Sequence, residues 1–135
     1  GTPISVPVTF IDNLNVCVVL HAFYRDGILI RRIIAIEELE GYYEEAGGVV
    51  TRAVFQWNSA EDKHEFRGLN NSYILENLIA HKLGYADKKK IYAELELRAK
   101  VLRKMVELNI FDYYKAIDII WSYERGGVEG LPFSI

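Results

Sequence analysis

The stretch VCVVLHAFYRDGILIRRIIAI, residues 16–36, decides how the rest of the chain is read. From Val16 to Phe23 both alternating rows are apolar, which predicts a strand covered on both faces. Tyr24-Arg25-Asp26-Gly27 then supplies a turn, because glycine accepts the positive φ that a tight hairpin needs. Ile28 to Ile36 returns as a second strand, so the segment predicts a hairpin. Within the first strand, Cys17 is expected to be a buried small hydrophobe and His21 a hydrogen-bonded core histidine.

Working outward, Thr2 to Pro7 contains two prolines and is expected to be extended or turned. Beyond Gly41 and Gly47-Gly48 a third strand is predicted over Val49 to Trp57, with Val49, Ala53, Phe55 and Trp57 on its apolar row. Asn58 to Lys63 reads as a polar loop, and His64 to Arg67 as a return strand laying Phe66 beside Trp57. Near Gly68 the pattern changes from strand-like to helical, which divides the chain into 1–68 and 69–135.

Three helices are predicted after that change. The first spans about Ser72 to Leu83, with Ile74, Leu75, Leu78, Ile79 and Leu83 as its apolar face and Gly84 as its stop. The second spans about Asp87 to Leu108, with Ile91, Leu95, Leu102, Met105 and Val106 on one stripe. Glu94 with Arg98 and Glu96 with Lys100 are spaced to pair along it. The third begins at Asp112, a good N-cap, and runs to about Tyr123, burying Tyr113, Ala116, Ile117, Ile120 and Trp121. The expected fold class is α+β: antiparallel strands and hairpins followed by a three-helix C-terminal cap.

The chain has 135 residues, enough for one domain, and half of them are hydrophobic, enough for a sizeable core. No apolar run approaches the ~18 residues of a membrane helix, and no basic, then apolar leader opens the chain, so a cytoplasmic address is expected. One cysteine excludes a disulfide framework. A net charge of −3 argues against a nucleic-acid binder. The charge is uneven: Glu37, Glu38, Glu40, Glu44 and Glu45 form an acidic cluster, and Asp87 to Lys104 is mainly basic. Two solvated faces explain this, as do complementary docking surfaces between subunits or toward an anionic partner.

A triphosphate cradle needs glycine-framed backbone amides followed by lysine and a hydroxyl residue, and no glycine here precedes lysine. A G-x-G-x-x-G turn is also missing. His21, His64 and His81 share no metal-ligand spacing, and Cys17 and His21 lie too far apart along a strand to act as nucleophile and base. The chain alone is therefore expected to be catalytically silent, with no catalytic residue, no metal ligands and no cofactor of its own. Its nine tyrosines suit packing and interfaces.

Arg31 and Arg32 are the awkward residues. Arg32 falls in the row of Ile28, Ile30, Ile34 and Ile36, and a guanidinium there needs a fixed anion. One reading is a structural ion pair with Asp12 or a strand-end glutamate. The other is a contact from Arg31 or Arg32 to a nucleotide or an adjoining subunit.

The order of Thr2-Pro3, Val6-Pro7, Thr9 and Leu14, then Gly27, Arg31-Arg32, Ile36 and Glu38, resembles the C-terminal portion of the archaeal type II/IV secretion ATPases. This family of hexamers drives archaellum rotation, pilus assembly or protein export. Phe55-Gln56-Trp57 with Asp62, Phe66 and Gly68 is similar to its following hairpin. Glu94-Leu95, Arg98, Val101-Leu102 and Met105 resemble its long helix, and Ile110, Asp112-Tyr113, Ile117, Ile120 and Tyr123 its closing one. The resemblance implies that the strands are the tail of a RecA-like core and that ATP and Mg²⁺ belong to a longer protein. It implies other subunits of that ATPase and a membrane platform protein as partners, at the cytoplasmic face of the membrane, with no nucleic acid. The family's phosphate-binding and catalytic segments have no counterpart in this chain. Without the resemblance, the residues also fit a stand-alone helical protein-interaction module.

Overall fold

The structure is a computed structural model and describes residues 14–135. The prolines of the opening segment and Asp12 lie outside the described residues. Two compact units divide the chain, one ending at Lys89 and the other comprising Lys90–Ile135.

In the first unit β1 (Val16–Arg25), β2 (Ile28–Tyr43), β3 (Gly48–Asn58) and β4 (Lys63–Phe66) form a four-stranded sheet in the order β1-β2-β3-β4. Every neighbouring pair is antiparallel. The β1–β2 hairpin closes Arg25 on Ile28, with φ of 52° at Asp26 and 78° at Gly27. Positive φ at both central residues makes this a two-residue type I′ turn, whose twist matches that of the strands.

β1 departs from expectation: it is a strand, but it is not covered on both faces. Val16, Val18, Leu20 and Tyr24 are exposed, and only Val19 and Phe23 are half-buried. Cys17 and His21 are exposed as well, so neither is the core residue expected. β1 lies at the edge of the sheet order, with β2 as its strand neighbour among the described residues. The apolar pattern thus encodes more burial than this arrangement supplies.

β2 runs past Ile36 to Tyr43 and carries Glu37, Glu38 and Glu40 within the sheet. β3 buries Val54, on the row of Arg52 and Gln56. The β3–β4 loop closes Asn58 on Lys63, which puts Trp57 opposite His64 and Phe66 opposite Phe55. Phe66 therefore packs on Phe55, with ring centroids 4.8 Å apart, and Trp57 meets Phe23 of β1 at 5.5 Å. The pairing of Phe66 with Trp57 expected from the sequence is displaced by this register. At Gly68 a Cβ would stand 2.6 Å from the Phe66 ring and 3.2 Å from Val54, so only glycine lets the chain leave the sheet this closely.

The first helix is a π-helical segment, Ile74–Ala80, and the chain turns at Gly84 (φ 74°) as expected. Of the expected apolar face Ile74, Leu75 and Leu78 are half-buried while Ile79 and Leu83 are exposed, and the fully buried residue is Ala80. A 3₁₀ turn, Lys88–Lys90, covers the point in the sequence where one unit ends and the next begins.

The second unit pairs α1 (Ile91–Glu107) with α2 (Tyr113–Gly126). Asp112 caps α2 as predicted, its Oδ2 accepting from the Lys115 amide at 3.0 Å. Val101, Met105, Ile119 and Tyr123 make the core, with Leu97, Ile110, Ala116, Leu131 and Phe133 packed against it. Ile91, Tyr92, Val101 and Met105 are the buried residues of α1, while Leu102 and Val106 are exposed. On α2 the expected face is turned outward at Tyr113, Ile120 and Trp121. The stripe that packs instead is the i, i+4 pair Ile119 and Tyr123. Leu131 and Phe133, in a tail the sequence left unread, complete the core.

Candidate functional site

The register of β1 and β2 sets Arg32 opposite His21 and Arg31 opposite Ala22, so the two arginines point to opposite faces of the hairpin. Arg32 grips Asp62 with both prongs: Nε donates to Oδ1 and Nη2 to Oδ2, each at 2.8 Å. Its Nη1 donates to the Arg31 carbonyl at 2.8 Å. The Trp57 indole N–H also donates to Asp62 Oδ1, at 2.8 Å. The Arg25 guanidinium lies over the Phe23 ring, 5.6 Å from its centroid.

This geometry explains the electrostatics. The Arg32 fork, then the Trp57 N–H, hold the Asp62 carboxyl far below the usual carboxylate range. The same bond to Asp62 raises the Arg32 guanidinium. The carboxylate beside Arg32 is thus Asp62, contributed by the β3–β4 loop, and not a strand-end glutamate. Trp57 and Asp62 stand in the sequence only as part of the family-like hairpin, with nothing to mark them as partners of Arg32. Arg31 is exposed and has no ion pair among the described residues.

A second polar constellation ties the sheet to the π-helical segment. Glu38 is 3% exposed, although its neighbours in sequence suggested a solvated cluster. Ser72 Oγ–H donates to Glu38 Oε1, and the amides of Tyr73 and Ile74 donate to Oε2 at 2.9 and 3.4 Å. Ser72 Oγ in turn accepts from the Leu75 amide at 3.0 Å. Beside it Arg52 pairs with Glu40 at 2.8 Å and donates to the Asn71 carbonyl at 2.6 Å. These bonds satisfy a buried charge and the first amides of a helical turn, which is a structural role.

In the second unit a groove of about 210 Å³ lies between α1 and α2, lined by Arg98, Val101, Leu102, Ile120, Tyr123 and Glu124. Arg98 bridges Glu94 at 2.9 Å and Glu124 at 2.5 Å, and the Tyr123 hydroxyl donates to Glu94 at 3.0 Å. Glu124 is the main cause that raises the Arg98 guanidinium; burial, then Glu94, raise the Tyr123 phenol. Glu96 pairs with Arg103 at 3.0 Å, in place of the expected Lys100.

His64 Nε2 lies 2.7 Å from the Ile33 carbonyl, and no three His, Cys, Asp or Glu side chains converge among the described residues. Of the positive-φ glycines, Gly27 and Gly47 lie in hairpins, Gly84 and Gly127 follow helices, and Gly41 lies within β2 at a register shift.

Among the described residues the fold is α+β, with an antiparallel sheet of four strands and three helices. Over all 135 residues it is 56% identical to "Uncharacterized protein MJ0900" of Methanocaldococcus jannaschii. The chain spans 24% of that relative's length. No family model matches it. No helix among the described residues is long and apolar enough to cross a membrane.

Proposed function

We propose that this chain is the C-terminal part of a longer hexameric ATPase of the archaeal secretion, archaellum or pilus-assembly class. In that protein it completes the tail of a RecA-like core and, with its helices, carries subunit contacts and passes motion to a membrane platform protein at the cytoplasmic face. ATP and Mg²⁺ are bound by the longer protein. No glycine of the chain precedes a lysine, so no step of hydrolysis is assigned to it.

The observation that carries the reading is β1. A strand apolar on both rows yet exposed along Val16, Val18, Leu20 and Tyr24 is a strand suited to the interior of a larger sheet. A relative roughly four times as long, matched along the whole of this chain, accords with that. Arg31, exposed beside the anchored Arg32, remains the residue proposed to reach a nucleotide or a neighbouring subunit.

Two measurements test the proposal. The 135-residue chain is expected to show no saturable ATP turnover. The full-length M. jannaschii relative is expected to hydrolyse ATP when Mg²⁺ is supplied, and no turnover from it would overturn the reading. The groove between α1 and α2, flanked by exposed Leu102 and Ile120, favours a second reading, a helical protein-interaction module unconnected with ATP. An inactive full-length relative would leave that one standing.

A further inference from the structure

The helical segment that follows the sheet is laid out as an α-helix with one residue too many. Its first turn is α-helical, the Glu76 amide donating to the Ser72 carbonyl at 3.1 Å. So is its last, with the Leu83 amide donating to the Ile79 carbonyl at 3.0 Å. Between them Ile74–Ala80 is π-helical, seven residues of a conformation that is rare and mostly confined to single wide turns inside α-helices. The Tyr85 amide then reaches back five residues to the Ala80 carbonyl, at 3.0 Å. Glu38 fixes the start of the segment by accepting from the amides of Tyr73 and Ile74, and Gly84 turns the chain at the other end.

The extra residue decides which side chains face inward. Counted in α-helical steps of three and four from the anchored Ser72, the inward row is Ser72, Leu75, Ile79 and Leu83. The structure follows that row through Leu75 and then leaves it. Ala80 takes the inward place at 0% exposed, and Ile79 and Leu83 stand outside at 39% and 63%. One methyl group is buried where two large aliphatic side chains belong by period, so apolar burial favours the α-helical register. Room opposes it, because the place that Ala80 fills is closed to water and an isoleucine there needs more volume. Residues 84–87, which form turns and bends, can absorb the change in length between the two registers.

We infer that residues 73–83 form a helix with two registers. One is the π register seen here, which presents Ile79 and Leu83. The other is an α register built from the same Glu38 anchor, which turns both residues inward and moves Ala80 to the flank. The segment is thus a conformational switch that shows or withdraws an apolar pair, and whatever binds that pair holds the π register. Glu38 confines the movement to the far end of the helix. The switch is independent of the ATPase reading: it follows from the register of this helix alone.

The test is NMR relaxation dispersion on the amides of the 135-residue chain, which reads exchange on the μs–ms scale, with circular dichroism to verify the fold. Wild type is expected to show exchange confined to residues 75–87, from a minor state of about 1% or more. Ile79→Lys leaves the π register untouched, since Ile79 is already exposed there, but puts an ammonium group inside the α register. Its minor state is expected to fall about tenfold or more in population. Deleting Asn77, an exposed residue of the wide turn, removes the extra residue and leaves an α-helix with Ala80 still inward, so the exchange is expected to vanish. Asn77→Lys faces water in both registers and is expected to exchange as wild type does. A flat dispersion profile over residues 75–87 in wild type would overturn the inference. So would exchange that Ile79→Lys leaves unchanged, which would mark simple fraying of the helix end, or exchange that Asn77→Lys abolishes as well. If the deletion unfolds the chain, wild type and the two lysine variants decide the matter without it.

Discussion

Glu38 and Asp62 are both carboxylates bound by several donors, and their surroundings give them different work. Glu38 is buried and serves as the N-terminal acceptor for a helical turn, so its removal is expected to be felt as stability. Glu38→Ala should cost on the order of 2–3 kcal/mol in urea unfolding, because Ser72 and the Tyr73 amide lose a charged acceptor inside the unit. Glu38→Gln keeps an acceptor oxygen and should cost less. Asp62 lies near the surface, and what it confers is acid sensitivity. Its folded pKa lies below the unfolded value of about 3.9, so the stability it adds is complete above about pH 5 and fades as pH falls through the lower folded value. Trp57 donates to the same carboxylate, so an acid titration of its fluorescence should report this loss, and Asp62→Asn should abolish that transition.

At the scale of elements, the hairpin turn and the α2 cap were legible because each depends on a few adjacent residues. Asp26-Gly27 specifies a type I′ turn through backbone sterics alone, and Asp112 caps the helix that follows it. Asp112→Ala is expected to lower stability by about 1 kcal/mol, read as a reduced melting temperature of the intact chain. The faces of the helices were less legible. Apolar residues ring α2 closely enough that Tyr113, Ile117, Ile120 and Trp121 and the packed pair Ile119 and Tyr123 both describe an apolar stripe. The choice fell to tertiary partners: Glu94 receives the Tyr123 hydroxyl, and Leu131 and Phe133 arrive from the tail to cover the core.

For the molecule as a whole, periodicity and turn chemistry were sufficient for the α+β class, the antiparallel pairing and the order of strands followed by helices, since these follow from local sterics and from which residues avoid water. The partner of Arg32 was not readable, because Asp62 lies thirty residues away and reaches it only through the β3–β4 register. Nor was the burial of Glu38, which depends on Ser72 and the amides after it arriving over the sheet. The exposure of β1 belongs to the same group: its residues record how much apolar cover the strand is built to have, but only the assembled fold shows how much it receives. Hydrophobic pattern is a property of the chain, whereas neighbours are a property of the packing, and long-range pairs of charges and rings exist only once the packing is complete.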